Sequence, residues 1–192
     1  MCSINGFNFK DENLIKKMVE VTKHRGPDDE GFYCDENVSL GHARLSIIDL
    51  SENARQPLWN EDKSICVICN GEIYNFKELR DILEKQGHNF FSDTDTEVIV
   101  HAYEQWGVEC VKRFRGMFAF AIWDSNQRQL FLARDRVGIK PLYYYFDSGK
   151  FMFASEIKAI LLNPAVKREV NYKSLYYFMG YEYVPTPFTL FN

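Results

Sequence analysis

Cys2 is the residue of this 192-residue chain with the most direct route to chemistry. If Met1 is removed, Cys2 carries both a thiol nucleophile and a free α-amine, which can act as the base. An α-amine titrates near pH ~8 and a thiol near ~8.5, so both lie close to their working protonation states at neutral pH. A cysteine near an N-terminus also occurs by chance, so distant residues must supply the rest of a site.

Asn70 and Gly71 follow a strand-like apolar run and could stabilise an oxyanion. The side-chain amide of Asn70 and the backbone N–H of Gly71 would offer two donors, and glycine lets a carbonyl oxygen approach closely. Such donors suit a thiol that attacks a carbonyl carbon. Asn-Gly is also a strong turn signal, in which glycine takes positive φ, so a plain turn is the alternative interpretation.

Arg44 and Asp95 are an opposite-charge pair from distant parts of the chain. They suit the α-carboxylate and the α-ammonium of a free amino acid, because a guanidinium binds a carboxylate through two parallel hydrogen bonds. Each residue also has a simpler interpretation, a surface salt bridge for Arg44 and a helix cap for Asp95. On residue types alone these simpler interpretations are favoured.

Composition excludes several classes of function. The net charge is −4 with acids and bases interspersed, which indicates neither a nucleic-acid surface nor a polybasic membrane surface. The longest apolar runs, such as residues 117–123, fall short of the roughly 20 residues that span a bilayer, and no signal peptide is recognisable. Five cysteines without a disulfide-like spacing favour a reducing cytoplasm.

No metal site is expected from the sequence. Cys66 and Cys69 form a Cys-x-x-Cys pair, but they lie in a run that is typical of a strand, and no second pair follows. We interpret both as small core residues. The four histidines show no metal-ligand spacing.

The hydrophobic pattern predicts an α+β protein with mostly antiparallel sheets, because strands and helices fall in separate blocks with several hairpins. Strands are predicted at residues 3–9, 31–34, 38–48, 64–69, 117–123, 129–133, 142–146 and 150–154. Helices are predicted at residues 12–23, 76–86, 97–106, 108–114, 155–162 and 172–179, with Ser155 as a helix cap.

Six motifs, in order along essentially the whole chain, resemble the glutaminase domain of glutamine-dependent asparagine synthetases. These are class II amidotransferases of the N-terminal nucleophile hydrolase superfamily. The motifs are Met1-Cys2-Ser3-Ile4, His24-Arg25-Gly26-Pro27-Asp28, Gly41-His42-Ala43-Arg44-Leu45-Ser46-Ile47, Asn70-Gly71-Glu72-Ile73-Tyr74-Asn75, Ser92-Asp93-Thr94-Asp95-Thr96-Glu97 and the stretch from Arg134 to Tyr144. That last stretch, with Ser155-Glu156-Ile157-Lys158, points to the asparagine synthetase branch. Ser3 departs from the commonest superfamily pattern, which has glycine there, although some asparagine synthetases share the serine.

The resemblance implies a role for each matching residue. Cys2 would be the nucleophile and its own α-amine the base, while Asn70 and Gly71 would form the oxyanion hole. Arg44 would hold the glutamine carboxylate, and Asp95 with Glu72 would hold its ammonium group. The backbone of Leu45, Ser46, Ile47 and Ile48 would line the pocket. The implied fold is a four-layer αββα sandwich with the nucleophile at the end of a central strand.

The resemblance also implies a domain organisation. Residues 1–162 would form the glutamine amidotransferase domain, and residues 163–192 a linker and the start of a truncated ATP-dependent synthetase domain. No cofactor is expected in this chain, since ATP and Mg would bind only the absent synthetase domain. The expected partners are L-glutamine, that synthetase domain in cis and a possible homodimer mate. The aromatic residues between positions 176 and 183 would belong to the core or would dock the absent domain.

The expected reaction is hydrolysis of glutamine to glutamate and ammonia, as the ammonia-supplying half of an asparagine synthase. One alternative is a catalytically silent glutamine-binding or interaction module, which applies if Met1 is retained or the second domain is required. Another alternative is a hydrolase of the same superfamily acting on a different amide. It is less favoured because Arg44 and Asp95 together suit a free amino acid.

Overall fold

Two antiparallel sheets dominate the computed structural model, which describes residues 1–192. The strands are β1 (Ser3–Phe7), β2 (Asp29–Cys34), β3 (Ser39–Arg44), β4 (Leu58–Trp59), β5 (Ile65–Ile73), β6 (Gly116–Asp124), β7 (Gln129–Arg134), β8 (Tyr143–Asp147) and β9 (Lys150–Ala154). The first sheet has the order β2-β3-β1-β9-β8, and the second has the order β4-β5-β6-β7. All of these strands lie in the first of two units, Met1–Ile160.

The helices of the first unit are α1 (Glu12–Thr22), α2 (Phe76–Lys85), α3 (Glu97–Trp106) and the short α4 (Ile157–Ile160); α1 packs on the first sheet, and α2 and α3 pack on the second. The second unit contains α5 (Tyr172–Tyr181). Asp11 caps α1 by accepting a 2.9 Å hydrogen bond from the Leu14 N–H. The apolar face of α1 packs on β1 and β3, and Gly41 of β3 lets it approach closely, since a Cβ there would lie 2.5 Å from Val19.

Two apolar clusters of the core lie on opposite sides of the second sheet. Between the sheets, Ile4 and Leu40 of the first sheet pack with Ile68 and Ala121 of the second. On the far side, the second sheet packs against α2 and α3 through a larger apolar cluster that includes Leu83. The layers are therefore helix, sheet, sheet and helix, which confirms the expected αββα sandwich.

Cys66 and Cys69 are buried on opposite faces of β5. Cys66 belongs to the cluster between the sheets, and Cys69 to the cluster under the helices. Successive side chains of a strand alternate between its faces, so two residues three apart point in opposite directions. Both are free thiols, as expected for core residues.

The predicted turn at Asn70-Gly71 is wrong, because β5 continues through both residues to Ile73. Asn70 pairs with Ala119 and Gly71 with Phe118 of β6. Gly71 does not have positive φ. A glycine is needed at position 71 for another reason, because a Cβ there would lie 2.2 Å from the carbonyl oxygen of Met117. Long-range strand pairing therefore overrides the local turn preference.

Gly71→Ala is expected to lower the free energy of unfolding by about 2–3 kcal/mol, because the new methyl group overlaps the backbone of β6 and cannot be relieved by a side-chain rotation. Chemical denaturation monitored by fluorescence measures the effect. Gly180→Ala is the matched control, since a Cβ at Gly180 meets nothing within 4 Å. Equal stability of the two variants would contradict the close approach.

Two other predicted elements end early. β3 stops at Arg44, so residues 45–48 form a loop and not the end of a strand. The helix predicted at 155–162 is only the four-residue α4. Ser155 does not cap it through a hydrogen bond of its side chain; its Oγ accepts the Ile4 N–H at 2.9 Å and so fixes the start of β1.

The second unit, Leu161–Asn192, contains α5 and a short bridge between Val170 and Phe191. Asn171 caps α5 by accepting the Ser174 N–H at 3.0 Å. The side chains of Tyr176 and Tyr181 are exposed, so these aromatic residues are not core residues in this structure. No helix of the chain combines the length and the apolar character that crossing a bilayer requires.

Candidate active site

A narrow cavity gathers residues from β1, β3, β5 and the segment before α3. Seven of the predicted site residues line it, namely Cys2, Arg44, Leu45, Ile47, Ile48, Gly71 and Glu72. Its volume of about 50 Å³ accommodates a group of roughly three or four heavy atoms, which is the size of a side-chain carboxamide. Ser46, Asn70 and Asp95 do not line the cavity.

The thiol of Cys2 lies beside the backbone of Leu45. The Leu45 N–H donates to Sγ at 3.4 Å, and Sγ lies 3.7 Å from the Leu45 carbonyl oxygen. Burial raises the pKa of the Cys2 thiol, although the Leu45 N–H, the amino terminus and the charges of Arg44 and Lys140 each act to lower it. A largely protonated thiol requires a base to become a nucleophile, so a neighbouring amine is chemically important.

Arg25 and Glu156 hold the backbone of Cys2 in place. Arg25 Nε donates to the Cys2 carbonyl oxygen at 3.1 Å, and its Nη1 lies 3.2 Å from Glu156 Oε1. Gly26 lets this turn approach β3, because a Cβ there would lie 2.3 Å from the Ala43 carbonyl oxygen. No role was predicted for Arg25 or Glu156 from the sequence. Each lies within a motif that resembles the family, and this was the only sequence feature that could have indicated a role.

Lys140 is a buried cation near Cys2, and no role was predicted for it from the sequence. Its Nζ lies 3.5 Å from the sulfur of Met1, and its charge lowers the pKa of the Cys2 thiol. Asp135 shapes the loop that carries Lys140, because its carboxylate accepts the Ile139 N–H at 2.9 Å and the Lys140 N–H at 3.1 Å. Lys140 lies inside the motif from Arg134 to Tyr144, and this position is the sequence feature that could have indicated its role.

Asn70 is buried in β5 next to Gly71. Its Nδ2 donor has no hydrogen-bond partner. Burying an amide donor without a partner costs about 1–3 kcal/mol, so such donors in native proteins call for an explanation. A donor that is held free in this way can stabilise negative charge on an oxygen atom that approaches it.

The guanidinium of Arg44 is buried at the end of β3, where it bonds to the loop that follows. Its Nη1 donates to the Ser51 carbonyl oxygen at 3.1 Å, and its Nη2 donates to the carbonyl oxygen of Asp49. A guanidinium has five N–H donors, so these bonds leave further donor capacity at the cavity. The surface salt bridge that sequence alone favoured is not formed.

Asp95 and Glu72 place two carboxyl groups near one another. Asp95 Oδ2 accepts the Ile73 N–H at 2.6 Å, which ties the segment before α3 to the end of β5. Burial, and then the charge of Glu72, raise the pKa of Asp95. A cation between these groups would reverse that effect, so the pair suits an ammonium ligand.

Ser46 faces away from the cavity described above and lines a neighbouring surface depression. Its N–H donates to Asp28 Oδ2 at 2.8 Å, which fixes the loop that carries the cavity residues Leu45 and Ile47.

His42 makes a pH-dependent contribution to the stability of the site. Its Nε2 lies 3.0 Å from the Cys69 carbonyl oxygen. Burial lowers the pKa of His42 from 6.5 to about 4. Because the unfolded state binds more protons between these values, the free energy of unfolding falls as pH decreases through this window, by about 2 kcal/mol between pH 7 and pH 5.

His42→Gln is expected to flatten this pH dependence, since glutamine keeps a donor but does not titrate. Urea denaturation at pH 7 and pH 5 measures the difference. His24→Gln serves as the control, because His24 is exposed and pairs with Glu156 outside the core. An unchanged slope in His42→Gln would refute the assignment.

The sequence of this chain is similar to a known protein family and to several known proteins. A family described as "Glutamine amidotransferase domain" matches residues 1–192. Asparagine synthetase [glutamine-hydrolyzing] 1 of Bacillus subtilis (strain 168) is 46% identical over 93% of this chain and 28% of its own length. Putative asparagine synthetase [glutamine-hydrolyzing] 2 of Methanocaldococcus jannaschii is 40% identical over 100% of this chain and 41% of its own length.

Solved structures agree on the fold. Glutamine phosphoribosylpyrophosphate amidotransferase from B. subtilis aligns with a TM-score of 0.73 at 21% identity, over 88% of this chain and 45% of that chain. This likeness supports the sandwich architecture alone. The chain thus spans less than half of the length of each of these relatives. The expected family resemblance is confirmed, and the chain belongs to the glutamine amidotransferase domain family.

Proposed function

We propose that this chain hydrolyses L-glutamine to glutamate and ammonia, with Cys2 as the nucleophile. The single observation that carries the proposal is the shared cavity, where the Cys2 thiol meets Arg44, Gly71 and Glu72. These residues come from three separate strands or strand ends. They supply a nucleophile, a cation, a backbone donor and an anion, which are the groups that a glutaminase needs.

The first half of the reaction forms a thioester. After removal of Met1, the α-amine of Cys2 takes the thiol proton and the sulfur attacks the side-chain amide carbon of glutamine. The negative charge on the amide oxygen is stabilised by Asn70 Nδ2 and the Gly71 N–H. The ammonium form of the α-amine then gives its proton to the leaving nitrogen, so ammonia departs as the C–N bond breaks.

The second half releases glutamate. The α-amine, now neutral again, takes a proton from water, and the resulting hydroxide attacks the thioester carbon. The same two donors stabilise the second tetrahedral intermediate. Collapse of that intermediate breaks the C–S bond and returns the proton to the thiolate, which restores Cys2.

Substrate recognition rests on both charged ends of glutamine. Arg44 would hold the α-carboxylate through the N–H groups that are not bonded to the carbonyl oxygens of Asp49 and Ser51. Asp95 and Glu72 would hold the α-ammonium group. Backbone groups of the loop Leu45, Ser46, Ile47 and Ile48 would line the entry. A bound ammonium would offset the burial that raises the pKa of Asp95.

The ammonia would serve asparagine synthesis in a longer protein. This rests on relatives named glutamine-hydrolyzing asparagine synthetases, of which this chain spans 28% and 41%. In that proposal residues 163–192 are a linker and the start of an ATP-dependent synthetase domain, which would bind ATP and Mg and activate aspartate for attack by ammonia. A homodimer and a cytoplasmic location remain part of the proposal.

A silent glutamine-binding module is the second candidate function. It is favoured if Met1 stays in place, because Met1 then converts the Cys2 amine into an amide that cannot act as a base.

Arg44→Ala tests recognition of a free amino acid. We expect the KM for glutamine to rise by about 10- to 100-fold while kcat changes little, since a charged hydrogen-bond pair contributes roughly 1.5–3 kcal/mol. The preference of the parent protein for glutamine over glutamine amide, which lacks the α-carboxylate, should disappear in the variant. Steady-state ammonia release measures both quantities.

Arg168→Ala is the control for this experiment, because Arg168 lies in the second unit and donates to the Leu161 carbonyl oxygen. An Arg44→Ala protein that keeps its selectivity for glutamine would favour hydrolysis of another amide.

A further inference from the structure

Two histidines and two glutamates from three separate segments converge beneath α2 and α3, outside the candidate active site. Glu61 follows β4, His88 follows α2, and His101 and Glu104 belong to α3. One ligand atom of each residue lies within 4.8 Å of all the others. His101 Nδ1 is 3.6 Å from Glu61, and His88 Nδ1 is 3.6 Å from Glu104. The sequence spacing of these residues gave no indication of this convergence.

The histidine rings are oriented so that both Nδ1 atoms face the same point. His88 Nε2 is hydrogen-bonded to Gln105 Oε1 at 3.1 Å, which makes it the protonated nitrogen and leaves the Nδ1 lone pair free. His101 Nε2 lies 3.5 Å from Glu97 Oε1. A carboxylate or amide oxygen behind the second ring nitrogen is the usual partner of a metal-binding imidazole.

His101 is fully buried, and neither of its ring nitrogens has a hydrogen-bond partner. Its ring is held by Phe90, with ring centroids 4.4 Å apart. Leaving a buried polar atom without a hydrogen bond is unfavourable, and the carboxylates nearest to Nδ1, at 3.6 and 4.0 Å, lie too far away to satisfy it directly. A cation bound at this atom would satisfy it.

The charges of the cluster also indicate a cation. The only ion-pairing partners of Glu61 and Glu104 are the two histidines, at 3.6 to 4.0 Å. The backbone N–H of Asn89 binds Glu61 at 2.7 Å. Two carboxylates facing one pocket attract positive charge.

We propose that Glu61, His88, His101 and Glu104 form a four-ligand site for a first-row divalent cation of the Zn²⁺ type. A tetrahedral zinc with bonds of about 2.0–2.2 Å places its ligand atoms about 3.3–3.6 Å apart. The four histidine–glutamate distances of 3.6 to 4.0 Å need to shorten by only a few tenths of an ångström. The widest separation within the cluster, at most 4.8 Å, must shorten by about 1–1.5 Å, which the partly exposed glutamate side chains allow. Imidazole and carboxylate ligands suit this metal class.

The site would be structural, because four protein ligands leave no position for a substrate or a water. It would tie the turn after β4 and the connection between α2 and α3 to the body of α3. Glu97, which accepts the backbone N–H groups of Phe91 at 2.7 Å and Ser92 at 2.8 Å, links the cluster to the start of α3. The metal would thereby stiffen the segment that presents Asp95.

Cobalt titration tests the site directly. Purified, chelator-treated protein carrying Cys2→Ala, which prevents binding at the N-terminal cysteine, is titrated with Co²⁺ and then with Zn²⁺. We expect one equivalent of Co²⁺ to give the visible d–d absorption of a tetrahedral complex without a thiolate charge-transfer band. Zn²⁺ should displace it and raise the thermal unfolding temperature.

His88→Gln and Glu104→Gln, made in the same background, are each expected to weaken Co²⁺ binding by about tenfold or more. Both side chains are partly exposed, so these variants avoid the risk that His101→Gln fails to fold. His24→Gln is the matched control and should bind as tightly as the parent. The proposal is overturned if the Cys2→Ala parent gives no d–d absorption, if a thiolate band appears, or if His88→Gln and Glu104→Gln bind Co²⁺ as tightly as that parent. Such results would leave the cluster as a network of imidazolium–carboxylate pairs.

Discussion

Replacing Cys2 by alanine is expected to lower kcat for glutamine hydrolysis by at least about 10³-fold, because the variant keeps the α-amine and the donors but loses the nucleophile. Glutamine binding should persist, since the residues proposed to hold its charged ends are unchanged. Ammonia release under saturating glutamine measures the loss of turnover, and calorimetry measures the dissociation constant. Retained binding with lost turnover would separate nucleophilic chemistry from recognition.

Cys34→Ser provides the control for this variant. Cys34 is also a free and only partly buried cysteine, but it lies in β2 and does not line the cavity. Its replacement should leave kcat within about twofold of the parent value. If Cys2→Ala hydrolysed glutamine at the parent rate, the whole mechanism would have to be abandoned.

Asn70→Asp is expected to reduce kcat by about 10²–10³-fold with a much smaller change in KM. The substitution keeps the size of the side chain but replaces its Nδ2 donor by an acceptor, which removes stabilisation that matters mainly in the transition state. The absence of a partner for Nδ2 in this structure means that no other hydrogen bond of that atom is lost. Steady-state kinetics separates kcat from KM.

A second variant, Asn70→Ala, removes the donor without adding charge and should show a similar loss of kcat. Asn8→Asp is the control, because Asn8 is exposed and its Nδ2 bonds only to the Gly149 carbonyl oxygen. If Asn70 acted only through stability, both Asn70 variants would lose activity in proportion to the fraction unfolded, and kcat per folded molecule would be unchanged.

Local sequence patterns predicted the elements that depend on local interactions. The hairpin of β6 and β7 and the helix α3 were located within a residue or two because turn chemistry and four-residue periodicity determine them. β5 was predicted to end too early, because its pairing with β6 outweighs the turn preference of Asn-Gly. The length of β3 was overestimated because Leu45, Ile47 and Ile48 are apolar yet lie in the loop that lines the cavity.

The candidate site was accessible from sequence mainly through resemblance. Residue types could suggest that Arg44 and Asp95 bind charged groups, but only the fold places Arg44 beside Cys2 and ties Asp95 to β5. Arg25 and Glu156 escaped notice because they act through the backbone of Cys2, and contacts between residues about 130 positions apart leave no local pattern. The convergence of His88 with His101 was missed for a different reason, since it depends on how the chain folds back between α2 and α3 and not on a recognisable metal-ligand spacing.

Intact-mass spectrometry of the protein after exposure to a glutamine-analogue electrophile tests the central claim most directly. The claim is that Cys2 acts as an N-terminal nucleophile. The predicted result is a mass lower by one methionine and higher by one adduct, with peptide mapping that places the adduct on Cys2 and protection by excess glutamine. A protein that retains Met1, or one that carries its adduct on another cysteine, would contradict the claim.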